Sequence, residues 1–422
     1  MANVNDQDQT ADNVGGLISD SSRTNTAGRD GSLAGRAVPA KLFSRHGRKG
    51  SGVGRMLVSA LVALVVVAIL FVIPMPYVVN KPGPTFNILA STGDDVAMIE
   101  ISGTDPETGG QVQLDETDED GSQSEGAQAD GQLRMVTVSE SGGPGYRLNL
   151  AELIAAKLDS RNEIFNYSDV YPAEVTGDDV EQAQSYLMAS SQSTAEVAAL
   201  EYLGWEVPAE VTIAGAVEGS DAEGKVREGD VLRSITTPDG TSQAITSASK
   251  TFAIMAQTEP GTELGVSVER DGKPQDLRIV SQGAEGKKGS KLGLYLSFDI
   301  DMPVDVTFNL ARVGGPSAGT MFALGIIDRL TPGDMTGGEV IAGTGTMSYD
   351  GQVGEIGGIR QKMWGAVRDD AQWFLAPAAN CNEVVGHEPD GLSVVKVETL
   401  EDAVQAVEAI AAGKGQTLPT CQ

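Results

Sequence analysis

Residues 314–330 read GGPSAGTMFALGIIDRL, and residues 339–367 read EVIAGTGTMSYDGQVGEIGGIRQKMWGAV. In the first, a glycine-proline turn runs straight into an apolar helical stretch, with Pro316 suited to a first helical turn and Ser317 beside it. Amides at a helix start have no internal partner and point outward, so those of Gly315, Ser317 and Ala318 are available to an oxyanion. Taken alone, Ser317 reads more readily as the cap of that helix than as a nucleophile. The second stretch reads as a strand, a hairpin with Asp350-Gly351 at its tip, a Gly-Gly turn and a helix bearing Lys362 next to Met363, Trp364, Ala366 and Val367. This is an unusual setting for an ammonium, although a lysine lying along an amphipathic helix with its head in water has the same local sequence.

Working outward, the chain has 422 residues, enough for two or three domains. It carries 30 Lys and Arg against 59 Asp and Glu, a formal charge of -29 that argues against a nucleic-acid partner. Two histidines leave few ways to build a Ser/His/Asp triad or a His-rich metal centre, and two cysteines exclude a disulfide scaffold. Cys381 and Cys421 read either as a disulfide tying back the C-terminal tail or as free thiols with Cys381 buried.

Charge is unevenly placed: residues 1–55 hold 8 basic and 5 acidic side chains, and Arg36 to Arg55 hold six basic and no acidic ones. Directly after them, Met56 to Ile73 form an uncharged run of 18 residues, long enough at about 1.5 Å per residue to cross a membrane with the next few residues. Positive flanks stay on the cytoplasmic side. The reading is therefore a disordered cytoplasmic tail over 1–55, a transmembrane helix over 56–73 in contact with lipid, and everything beyond it extracytoplasmic. Residues 104–131 carry nine acidic residues, no basic ones and almost nothing to bury, and read as a solvated loop. Around it, 74–203 reads as an α+β region, with an alternating strand at 133–139, a helix opening on Asn149 and Glu152 in capping-box spacing, and a second helix from about Gly177 to Leu203, which its serine-rich middle could interrupt.

From about Trp205 to Val280 come short strands, a helix near Ser249 to Gln257 and a hairpin with Asp271-Gly272 at its turn. GSDAEGKVREGDVL (219–232) resembles the corresponding run of PDZ domains, and 204–283 is assigned to such a domain. The resemblance implies that an extended peptide adds to a sheet edge. The amides of Leu203, Gly204 and Trp205 are the candidates to hold its end; alternatively Leu203 and Trp205 close the preceding helix into the core.

The order GPSAG, TGT, GxVGxIGGIxxK over residues 284–412 resembles the proteolytic domain of the Lon family of Ser/Lys peptidases. The whole chain is closer still to membrane-anchored, PDZ-containing Lon-like proteases, through PYVVNKPGPT (76–85), VTVSESGGPGY (136–146) and FLAPAANCNE (374–383). The resemblance implies an α+β chain with a proteolytic domain of the ribosomal protein S5 domain 2-like fold, followed by a short tail at 413–422. It further implies Ser317 as nucleophile, Lys362 as general base, Thr344 supporting the lysine, protein or peptide substrates, and a homo-oligomeric ring. No cofactor or metal is implied. Gly314 and Thr346 depart from the acidic residues of the Lon pattern. No G-x-x-x-x-G-K-[ST] occurs, so no ATPase motif accompanies the dyad. Two rival readings are a catalytically inactive peptide-binding scaffold and an α/β-hydrolase that uses Ser317 with His387.

Overall fold

The computed structural model describes residues 52–91, 96–106, 110–112, 131–172, 174–283, 289–310 and 313–422. Most of the expected cytoplasmic tail and the centre of the acidic loop lie outside these residues. The chain divides into two compact units, Met1–Lys81 with Glu140–Val180, and Pro82–Ser139 with Glu181–Gln422.

In the first unit, the apolar run forms the helix Gly52–Val72. Its stretch Gly54–Val72 is long and apolar enough to cross a membrane, with mean hydropathy 2.8 and none of it buried. Tyr77 to Asn80 pair antiparallel with the strand Glu163–Asn166. The helix Leu150–Leu158 opens on the anticipated capping box, Asn149 and Glu152 each bonding the other's backbone amide at 2.9 Å.

The second unit contains two folded parts. One is an antiparallel sheet in the order Leu294–Ile300, Ala209–Ala216, Asp230–Thr236, Glu263–Arg270, Lys273–Val280, with the helix Ala248–Ala256. Ile213, Leu232, Ile235, Leu264, Val266 and Ile279 form its core. The PDZ-like boundary at 283 is therefore corrected. Leu294–Ile300, placed by sequence in the proteolytic domain, pairs along its length with Ala209–Ala216 and completes this sheet.

The other part is built on parallel strands in the order Ser393–Val397, Trp373–Pro377, Val340–Gly343, Gln132–Ser141. Side chains alternate across it as strand geometry requires. Leu133, Met135, Ile341, Leu375 and Val395 face the helices Gly319–Leu330 and Leu400–Ala411, whereas Val136, Ala342, Phe374, Ala376 and Val394 face the helix Ile359–Arg368. A sheet with helices on both faces refines the α+β expectation to mixed α/β. It also recruits Gln132–Ser141 from the region read by sequence as separate, and a separate two-stranded sheet, Ile99–Gly103 with Val304–Phe308, shares its core.

Cys381 and Cys421 form a disulfide across 40 residues of sequence. Closing a loop of that length stabilises the fold by about 4 kcal/mol in the chain-entropy picture. Cys421→Ser is expected to lower unfolding stability by up to that amount, measured by urea denaturation with and without reductant.

Candidate active site

The turn holding Ser317 is pinned from three sides. The Gly315 amide donates to Gln184 O at 3.1 Å, Ser191 Oγ donates to Pro316 O at 2.9 Å, and Ser317 O accepts from the Gly345 amide at 2.9 Å. The helix Gly319–Leu330 that follows is capped by Ala318, with no side-chain capping bond. The reading of Ser317 as a helix cap is thus corrected, because its hydroxyl bonds none of the helix amides. Pro316 lies in the turn, ahead of the first helical residue. Among the oxyanion candidates, Gly315 is corrected too, since its amide is already engaged by Gln184. The amides of Ser317 and Ala318 have no hydrogen-bond partner among the described residues.

The long helix Gly177–Tyr202 supplies both Gln184 and Ser191 and runs unbroken through its serine-rich middle. Its closeness accounts for Gly314, where the Lon pattern has an acid: a β-carbon there would sit 2.8 Å from Gln184 Cβ. Gly319 is tighter still, since a β-carbon would meet Met347 Cβ and N at 2.9 Å and Ser191 Oγ at 3.0 Å.

Thr344 continues the strand Val340–Gly343, is fully buried, and donates from its own amide to Leu375 O at 3.2 Å. Its Oγ1 donates to Ser317 O at 2.9 Å and accepts from Lys362 Nζ at 3.0 Å. Lys362 stands on the first turn of the helix Ile359–Arg368 and is 3% exposed. No carboxylate pairs with it among the described residues, and burial brings its pKa down to about 7. Lys362 is therefore no solvent-facing surface lysine. No hydrogen bond joins Ser317 Oγ to Lys362 Nζ; the two residues meet through Thr344. Thr344→Val removes both bonds at nearly constant volume and is expected to lower turnover about 10- to 100-fold, with little change in KM. Steady-state peptide hydrolysis measures it.

His387 is exposed in a loop, its Nδ1 3.2 Å from Val385 O, and makes no bond to Ser317. A Ser/His triad is not assembled.

Leu203, Gly204 and Trp205 do not form a peptide-end site. Trp205 N donates to Leu200 O and Gly204 N to Glu201 O, both at 3.0 Å, while Leu203 N donates to Ala199 O. With Gly204 at φ +87°, this is a Schellman ending of the long helix, and it consumes all three amides. Leu203 and Trp205 pack on the proteolytic core, as the alternative reading had it. What sequence reading missed is the outer edge of Leu294–Ile300, which pairs on one side only among the described strands. Beside it Phe252, Phe298 and Tyr349 form an aromatic group with ring centroids 4.9–5.9 Å apart. Tyr349 comes from the proteolytic hairpin and is hydrogen-bonded to Ser193. The alternation Leu294, Leu296, Phe298, Ile300 was the available signal.

Residues 300–409 match the Lon protease (S16) C-terminal proteolytic domain. That match supports a serine peptidase. Curated relatives agree: "Lon protease homolog 2, peroxisomal" of Caenorhabditis briggsae is 27% identical over 166 residues, covering 38% of this chain and 21% of that protein. "Lon protease 2" of Bacillus subtilis is 28% identical over 124 residues, 29% of this chain and 20% of the relative. The chain thus spans about a fifth of the length of these relatives. Among solved structures, PDZ domains of SdrC-like proteins are neighbours. That of Listeria monocytogenes is 15% identical, covers 20% of this chain and 85% of its own, and has a TM-score of 0.18. That of Listeria innocua is 18% identical, covers 21% and 92%, and has a TM-score of 0.19.

Proposed function

We propose that this chain is a membrane-anchored serine endopeptidase that cleaves extracytoplasmic proteins without ATP, through a Ser317/Lys362 dyad supported by Thr344. The observation that carries the reading is Lys362: a buried lysine with no acidic partner, hydrogen-bonded to a threonine that itself bonds the serine's own carbonyl. A serine hydroxyl becomes a competent nucleophile when a base removes its proton, and a lysine serves as that base when neutral. Ser317 Oγ attacks the scissile carbonyl while Lys362 takes the proton and later returns it to the leaving amine. The amides of Ser317 and Ala318 stabilise the oxyanion. Water then releases the acyl group by the same route in reverse.

The apolar stretch Gly54–Val72, none of it buried, supports the anchor, and the basic residues before it favour an inward N-terminus. The edge of Leu294–Ile300 that pairs with no other described strand is the place for a substrate strand to add, with Phe252 and Phe298 beside it for an apolar side chain. The ring assembly implied by the resemblance is kept as part of this reading.

A serine-directed covalent probe applied to the full chain tests it. Wild type is expected to label and Ser317→Ala not to, with His387→Ala labelling normally. An unlabelled wild type would favour the inactive scaffold, and an unlabelled His387→Ala would favour a triad.

A further inference from the structure

Lys362 works only if its Nζ lies against Thr344, yet nothing in its own helix fixes where that helix begins. The residue before the first turn of Ile359–Arg368 is Gly358, which has no side chain to cap it. The first helical bond runs from the Lys362 amide to Gly358 O at 3.0 Å, so the lysine's position follows whatever holds the turn at residues 354–358.

That turn is held by one side chain 24 residues further along. Asn380 Oδ1 accepts from the Ile356 amide at 3.0 Å, and Asn380 Nδ2 donates to Ile356 O at 2.9 Å. A side-chain amide is the one neutral group that presents a donor and an acceptor at the spacing of a peptide, so it takes the place of a neighbouring strand. The remaining Nδ2 hydrogen goes to Glu383 Oε1 at 2.9 Å, and Asn380 is 2% exposed, so water does not compete for these bonds. Asn380 also closely follows the strand Trp373–Pro377, whose Leu375 O receives the Thr344 amide. One strand therefore fixes Thr344 directly and the start of the lysine helix through Asn380.

We propose that Asn380 is the positioning residue of the dyad: by holding both backbone groups of Ile356 it sets the lysine helix so that Lys362 meets Thr344. The inference rests on the Ser317/Lys362 reading above. Losing these bonds frees the turn, lets Lys362 drift from Thr344 and admits water to its ammonium.

The test measures the acylation rate of Ser317 by the serine-directed probe as a function of pH, in the full chain, alongside the melting temperature. Asn380→Ala is expected to slow acylation about 10- to 100-fold and move the acid limb of the rate to higher pH, because a rehydrated ammonium holds its proton longer. Asn380→Gln keeps both the donor and the acceptor on an arm one methylene longer, so its rate falls between Ala and wild type; it carries the test should Asn380→Ala not fold. Cys381→Ser with Cys421→Ser is the control for stability, lowering the melting temperature beside Asn380 with the rate and its pH midpoint unchanged. Asn380 variants that melt early like this control, yet acylate at the wild-type rate and midpoint, would overturn the proposal. Absence of labelling in wild type would overturn the dyad itself, a separate outcome.

Discussion

Lys362→Arg is expected to silence Ser317 as fully as Lys362→Ala, despite keeping a long basic side chain. A general base must shed its proton near the working pH, and a guanidinium stays protonated at any pH a protein survives. Burial helps lysine for the same reason that it fails arginine. Desolvation brings the Lys362 ammonium down to about 7, whereas the same penalty cannot neutralise a guanidinium, which holds its proton far more tightly from the start. The planar fork is also bulkier than the ammonium it would replace, at a position where Lys362 is only 3% exposed and Thr344 fully buried. Removing a general base costs about 10²- to 10⁴-fold, and removing one member of a unit that acts together costs more, so at least about 10³-fold is expected. Pre-steady-state release of the first product reads it directly. An arginine variant that retains a tenth of wild-type acylation would remove Lys362 from the role of base.

Lys362→Met is expected to be inactive and more stable than wild type, with the gain depending on pH in a defined direction. Lys362 titrates at 10.5 when unfolded and at about 7 when folded. Between those values the unfolded chain binds the extra proton, so wild-type stability rises with pH from 7 to 10.5 and the burial cost is complete below 7. At about 1.4 kcal/mol per pH unit, that cost is on the order of 5 kcal/mol at and below pH 7. Methionine fills similar space without the charge and should recover a few kcal/mol of it at pH 7, shrinking toward zero near pH 10.5. Denaturant unfolding of both proteins across this range gives the difference curve. Acylation by wild type should fall about tenfold for each pH unit below 7, as the neutral amine is depleted. Glu196, which burial also pushes up to about 7, is the group to exclude, and Glu196→Gln should leave that midpoint in place.

The three residues of the candidate site were legible only through the resemblance of their segments to the Lon pattern: taken alone, Ser317 read as a helix cap, Lys362 as a solvent-facing lysine and Thr344 as a strand end. What connects them was not legible. The bond from Asn380 to Ile356 joins segments 24 residues apart, and a single asparagine in a short helical turn carries no local sign of its partner. Leu294–Ile300 showed its alternation plainly, but a strand's pattern does not say which sheet it joins, and it joined the one before it in sequence. For Leu203-Gly204-Trp205 the sequence left a peptide-end loop and a closure of the helix both open, and the closure is what forms. A glycine just past a long helical stretch, followed by a large apolar residue, is the mark of a Schellman ending, and that outweighs a glycine-containing loop poised to bind a peptide. The parallel order of the main sheet was out of reach, because its members come from residues 132 to 397 with other folded parts between them.

Gly319 stands where the serine helix crosses the hairpin, with Met347 and Ser191 closer to it than a β-carbon allows. The spacing between the segments that carry Ser317 and Thr344 is thus governed by an exclusion: the two approach until only hydrogen fits between them. Such a position has an alphabet of one letter. Drift elsewhere in the helix can be absorbed by repacking, but any added carbon here separates the two halves of the site at once, so the geometry of the dyad is guarded by a residue that takes no part in its chemistry.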